Sequence, residues 1–135
     1  MASASRPHVL VVDDDRSIHE ALTAALGPLY IVHTAASGAE ACAVLRVEPI
    51  AVIVLDAILG EEHGLDLVEP FRALSSARIL VLTGHSTEDL AIQALRAKVD
   101  DYLKKPPSVT ALYTAIARLV PRTDGPADLA TRAHP

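Results

Sequence analysis

The chain of 135 residues predicts a doubly wound α/β domain: a parallel sheet of five strands covered on both faces by five helices. Two observations carry that prediction. Three short runs rich in branched residues, Val9–Val12, Ala51–Leu55 and Ile79–Leu82, are apolar throughout rather than alternating, the pattern of strands buried on both faces. Helical periodicity then returns between each strand and the next, so that strand and helix alternate along the chain.

The elements follow in order. After Val9–Val12, residues Ile18, Ala21, Leu22, Ala25 and Leu26 recur at helical spacing until Gly27-Pro28 ends them. Leu29–His33 is a weaker second strand. Ser37 with Glu40 three residues on reads as a capping box for a helix through Leu45. Ala51–Leu55 is the third strand, and Leu67, Phe71 and Leu74 mark the third helix. Ile79–Leu82 precedes a helix over Ser86 to Ala97, capped by Ser86 or Thr87. Tyr102–Leu103 is a short fifth strand, and Val109, Leu112, Tyr113, Ile116 and Leu119 form the last helical stripe. These divide the chain into a flexible N-terminus, 1–7, one domain, 8–120, and a tail or linker, 121–135, where Pro, Asp, Thr, Ala and Gly lack periodicity.

Composition bounds the function. A formal net charge of −5 argues against nucleic acid as a direct partner, because phosphate binding wants a basic face. No apolar run approaches the length needed to span a bilayer, and the first residues lack a signal-peptide pattern. The single cysteine, Cys42, forbids an internal disulfide. A cytoplasmic protein is the expectation. The six histidines show no paired metal-ligand spacing, and His63 and His85 are candidates to flank a site.

In doubly wound folds the ligand site lies beyond the carboxyl ends of the strands. Here those ends carry Asp13-Asp14-Asp15, Asp56, Thr83-Gly84 and Lys104-Lys105-Pro106. Clustered carboxylates repel unless a proton or a cation intervenes. Hard oxygen donors at an open site suit Mg²⁺. A lysine and a hydroxyl beside it would neutralise and bind a phosphoryl group, and a carboxylate could attack phosphorus.

The motifs Val11-Val12-Asp13-Asp14-Asp15, Val52-Ile53-Val54-Leu55-Asp56, Gly64, Leu82-Thr83-Gly84 and Asp101-Tyr102-Leu103-Lys104-Lys105-Pro106 resemble those of response-regulator receiver domains of two-component signalling. The resemblance covers about His8 to Leu119 and implies a flavodoxin-like fold with strand order 2-1-3-4-5. It implies Asp56 as phosphoacceptor, with Mg²⁺ held by Asp14, Asp56, the Ile58 backbone carbonyl and, through water, Asp13. Thr83 and Lys105 would bind phosphoryl oxygens, Tyr102 would be the switch aromatic, Ile58 and His85 would tune phosphate lifetime, and the Lys105–Pro106 peptide would be cis.

Implied partners are a histidine kinase or histidine phosphotransfer protein, with a homodimer through the fourth helix, fifth strand and fifth helix as a further possibility. The domain would catalyse only its own phosphorylation and dephosphorylation. Three positions depart from the pattern: Leu59-Gly60 where Met-Pro is usual, Lys98-Val99 where Gly-Ala is usual, and Pro107 after Lys-Pro. Gly60 should make its loop more mobile than a proline would.

Two other readings stand beside this one. Asp13-x-Asp15-x-Ser17 resembles the first motif of haloacid-dehalogenase-type phosphatases, with Asp13 as nucleophile; Asp100-Asp101 would then have to follow a strand rather than precede one, and Asp56 would have no task. The chain could also be a receiver-fold interaction module that takes no phosphate. Glu88, Asp89, Asp100 and Asp101 with Arg96 and Arg118 are either solvated charges or intersubunit pairs.

Overall fold

The computed structural model describes residues 6–121, so the termini expected to be flexible fall almost wholly outside the described residues. The sheet strands are β1 (His8–Val12), β2 (Ile31–Ala35), β3 (Ile50–Leu55), β6 (Arg78–Thr83) and β7 (Asp101–Lys104), with β4 (Ile58–Leu59) and β5 (Glu62–His63) forming a separate hairpin. The helices are α1 (Arg16–Leu26), α2 (Gly38–Val47), α3 (Val68–Leu74), α4 (Glu88–Ala97) and α5 (Val109–Leu119). The main sheet runs β2-β1-β3-β6-β7 with every pairing parallel, which is the expected order once the hairpin is set aside.

The unbroken apolar runs have a simple origin. Along β1, Val9 and Val11 pack with α1 and α5 residues such as Leu26 and Ile116. Leu10 and Val12 point the other way, into a layer with Leu45, Phe71, Leu90 and Ala94 from α2, α3 and α4. Val52 and Val54 of β3 and Leu80 and Leu82 of β6 join the first layer, while Ile53, Leu55, Ile79 and Val81 join the second. Each central strand is therefore buried on both sides by the ordinary two-residue period of a strand.

Caps follow local chemistry. Asp15 accepts from the Ser17 amide at 2.9 Å and starts α1. Ser37 caps α2, and Glu40 reaches back to the Ala36 amide at 2.8 Å, one residue before the position a capping box would give it. Thr87, rather than Ser86, caps α4, and Ser108 caps α5. Leu67 belongs to a 3-10 turn over Gly64–Leu67 that leads into α3.

Two expectations are corrected. The second strand starts at Ile31, not Leu29, because the amides of Leu29 and Tyr30 both bond to the Leu26 carbonyl and close the end of α1. The segment after Asp56 is not an open loop. Ile58 pairs with His63 and Leu59 with Glu62 around a two-residue turn, and Gly60 takes φ +57, the left-handed value such turns require.

Candidate functional site

Sheet register places the two acids. Val12 pairs with Leu55, and the ladder continues one step past both strands: the Asp13 amide donates to the Ala35 carbonyl and the Asp56 amide to the Val12 carbonyl, each at 3.0 Å. Asp13 and Asp56 therefore stand side by side at the carboxyl edge, only 3% and 5% exposed. Each is oriented by an amide two residues on: Asp15 donates to Asp13 Oδ1 at 3.0 Å and Ile58 to Asp56 Oδ1 at 3.1 Å. Asp14 is exposed, yet it offers an oxygen within 4.8 Å of ligand atoms on both Asp13 and Asp56.

Such a buried pair of acids needs a compensating charge. Lys105 Nζ donates to Asp13 Oδ2 at 2.6 Å and to Asp56 Oδ2 at 2.9 Å. The Lys105 amide bonds to the Thr83 carbonyl at 3.0 Å, and the Lys105–Pro106 peptide is cis, as the resemblance implies. Burial pushes the Asp13 carboxyl above its ordinary range, and the opposing pull of Lys105 and of the Asp15 amide does not cancel it. Burial alone would lower the Lys105 ammonium, but its bonds to Asp13 and Asp56 and their charges outweigh it and hold the lysine above its usual value. Three ionised carboxylates against one ammonium leave two negative charges, which one divalent cation would neutralise. The donors are hard oxygens at the rim of an open cavity of about 580 Å³, also lined by Ile58, Gly60 and His85, a set that fits Mg²⁺ better than a soft metal.

The remaining candidates are distributed around this core. Thr83 is wholly buried at the end of β6, and its hydroxyl accepts from the His85 amide at 3.1 Å; it is near the cavity but does not line it. His85 is exposed on the cavity wall. His63, expected as a second flank, is turned away to bond Gln93 of α4 at 2.8 Å. Tyr102 is half-buried, with its hydroxyl donating to Ser86 at 3.3 Å. Asp100 accepts from the Ile79 amide at 2.7 Å and lies 3.8–3.9 Å from Arg78 and Arg72, so its ionic partners lie within the chain. It therefore belongs to the start of β6, at the edge opposite the acidic cluster, where a phosphatase-type later motif would have no access to Asp13.

Sequence reasoning missed one support and named a second without its reason. The His19 ring donates to the Asp13 carbonyl from about one turn inside α1, a contact that no local pattern marks. Gly64 was matched by motif alone. Its amide donates to the Ala57 carbonyl at 2.7 Å, and a Cβ there would stand 2.0 Å from the Asp56 carbonyl oxygen, so only glycine lets this turn close against the end of β3.

Comparison with known proteins adds a family. A family model described as response regulator receiver domain matches residues 9–117. The alginate biosynthesis transcriptional regulatory protein AlgB of Pseudomonas aeruginosa is 35% identical over 86% of this chain, which covers 26% of that protein. Among solved structures, a response regulator protein from Burkholderia pseudomallei with a phosphorylated aspartic acid, calcium ion and citrate is 33% identical, with a TM-score of 0.76, covering 94% of this chain and 73% of that one. A response regulator receiver domain protein from Methanospirillum hungatei is 27% identical, with a TM-score of 0.78, covering 84% of this chain and 93% of that one. The chain thus spans about a quarter of the AlgB relatives it matches.

Proposed function

The chain belongs to the response-regulator receiver family, whose members are phosphorylation-dependent signalling domains, and from that premise we propose that Asp56 is the residue it phosphorylates, with Mg²⁺ as the metal. One observation carries the assignment: the Lys105 ammonium bridges Asp13 and Asp56 while Asp14 completes a set of three oxygen donors beside them.

The division of labour is the one membership of this family implies, and the placement of the acids and of Lys105 supports it. Asp14 and Asp56 would hold the ion directly together with the Ile58 carbonyl, and Asp13, fixed by Lys105 and by the Asp15 amide, through water. When bound, the ion supplies positive charge to the carboxylates and to the phosphoryl oxygens. An Asp56 oxygen forms the new P–O bond as the P–N bond of a phosphohistidine donor breaks, the donor being a histidine kinase or a histidine phosphotransfer protein. Lys105 then transfers part of its pairing from Asp56 Oδ2 to the phosphoryl group. The Thr83 hydroxyl accepts from the His85 amide but keeps its own proton free to donate to phosphate. Movement of Thr83 toward the site frees space for Tyr102 to leave Ser86, altering the face built from α4, β7 and α5, where a partner or a second copy of the chain would bind. Ile58 and His85, on the cavity wall, would set how readily water reaches the aspartyl phosphate. The working unit is 8–120, acting in the cytoplasm, with no chemistry beyond its own phosphorylation and dephosphorylation.

The test is incorporation of acid-labile phosphate from a small-molecule phospho-donor in the presence of Mg²⁺. Asp56→Asn should abolish it. Labelling that persists in Asp56→Asn, or maps to Asp13, would refute the assignment and favour the phosphatase-like chemistry.

A further inference from the structure

At the edge of the sheet opposite the acidic cluster, we propose a second, independent metal site: His8, His33 and Glu48 form a two-histidine, one-carboxylate site for a divalent transition metal of the Zn²⁺ class. Sequence spacing gives no hint of it, since the histidines are 25 positions apart and lie on different strands. Parallel pairing brings them together. His8 opens β1 opposite Ile31, so His33 lies two residues further along the neighbouring strand. The two-residue period puts both rings on one face: His8 shares the side of Leu10 and Val12, and His33 shares the side of Ala35, all in the layer that α2 covers. Glu48 is the C-cap of α2, two residues before Ile50, which pairs with His8 from the other side.

His8 Nδ1 and His33 Nε2 are 2.9 Å apart, and one ligand atom from each of the three residues lies within 4.8 Å of the others. The ring planes differ by only 12° with centroids 5.1 Å apart, so the two nitrogens meet nearly edge to edge and share one N–H proton. Shifting that proton to the other nitrogen of its ring leaves two lone pairs at the contact. Tetrahedral ligation at Zn–N distances of about 2.1 Å would place these nitrogens about 3.4 Å apart, an opening of about half an ångström plus a swing of the rings toward Glu48. Imidazole nitrogen and carboxylate oxygen suit Zn²⁺ and its neighbours rather than Mg²⁺, which separates this site chemically from the oxygen-only cluster. All three residues are half-buried, which leaves an ion a route in and a solvent molecule a place in the open position. The ion would tie β1, the edge strand β2 and the end of α2 together.

The experiment uses the untagged full chain in excess Mg²⁺, with Zn²⁺ as the probe. Zn²⁺ should raise the melting temperature, and in the unaltered protein it should shift the ring NMR signals of His8 and His33 while leaving those of His19 and His63 in place. His33→Gln and Glu48→Gln should each weaken Zn²⁺ binding by about tenfold or more, whereas Asp56→Asn should not. Unchanged His8 and His33 ring signals, or equal Zn²⁺ affinity in His33→Gln and the unaltered chain, would overturn the proposal. The ring signals decide the question even if a variant does not fold.

Discussion

Tyr30 sits between α1 and β2 with its ring in the layer packed by α1 and α5, only 8% exposed. Burial, with a smaller contribution from Tyr113, raises its phenol above the ordinary value near 10. A raised folded-state value means that the neutral form is the one folding favours. The stability it protects is complete below about pH 10 and is lost as pH rises through the folded value, because the unfolded phenol ionises first. Tyr30→Phe removes this dependence. Urea unfolding at about pH 8 and about pH 11 should show the free-energy difference, variant minus unaltered chain, shifting in the variant's favour at the higher pH. A pH-independent difference would mean that Tyr30 ionises equally in both states.

Among the elements, α4 shows where a departure from the family pattern has a physical consequence. Lys98, at a position where the family usually has glycine, ends the helix with φ +61 and ψ +42, and its amide caps the carbonyls of Ala94 and Leu95. A left-handed backbone costs a residue with a Cβ about 1 kcal/mol relative to glycine. Arg72 bonds to the Lys98 carbonyl, a backbone group that substitution leaves in place. Lys98→Gly should therefore stabilise the chain by about 1 kcal/mol, read from the midpoint of chemical denaturation with an unchanged slope. The same scale shows what the sequence conveyed. Periodicity located α1, α3, α4 and α5 because their stripes face one layer each, and α2 was found from its cap, Ser37 with Glu40, which is local chemistry. The β4–β5 hairpin was missed although Gly60-Glu61 is a two-residue turn with glycine first, because two-residue strands are too short to show alternation. Strand β2 was misplaced by two residues because Leu29 is as apolar as a strand residue while its amide finishes a helix.

Across the whole molecule, the acidic cluster was legible because the carboxyl ends of parallel strands share one edge, so residues far apart in sequence could be assigned to one place from strand order alone. Contacts that depend on side-chain reach were not legible: His19 to Asp13, His63 to Gln93, and the diagonal pair His8 and His33. Lys105, which the sequence did place at the site, bonds to Asp13 across a separation of 92 positions. It leaves the loop after the edge strand β7, passes the end of β6, and bonds to acids on β3 and β1, so it links four of the five strands at one point. Without it, two nearly dehydrated carboxylates would face each other uncompensated. Lys105→Met in metal-free buffer at neutral pH should lose on the order of 2–3 kcal/mol, less than for a fully buried pair because the lysine side chain keeps 18% exposure. Mg²⁺ should then restore more stability to Lys105→Met than it adds to the unaltered chain, since the ion would replace the missing positive charge without competing against an ammonium. Paired urea titrations with a chelator and with excess Mg²⁺ measure both effects. Equal stability of the two proteins in the chelator would show that the acids are not held together by Lys105.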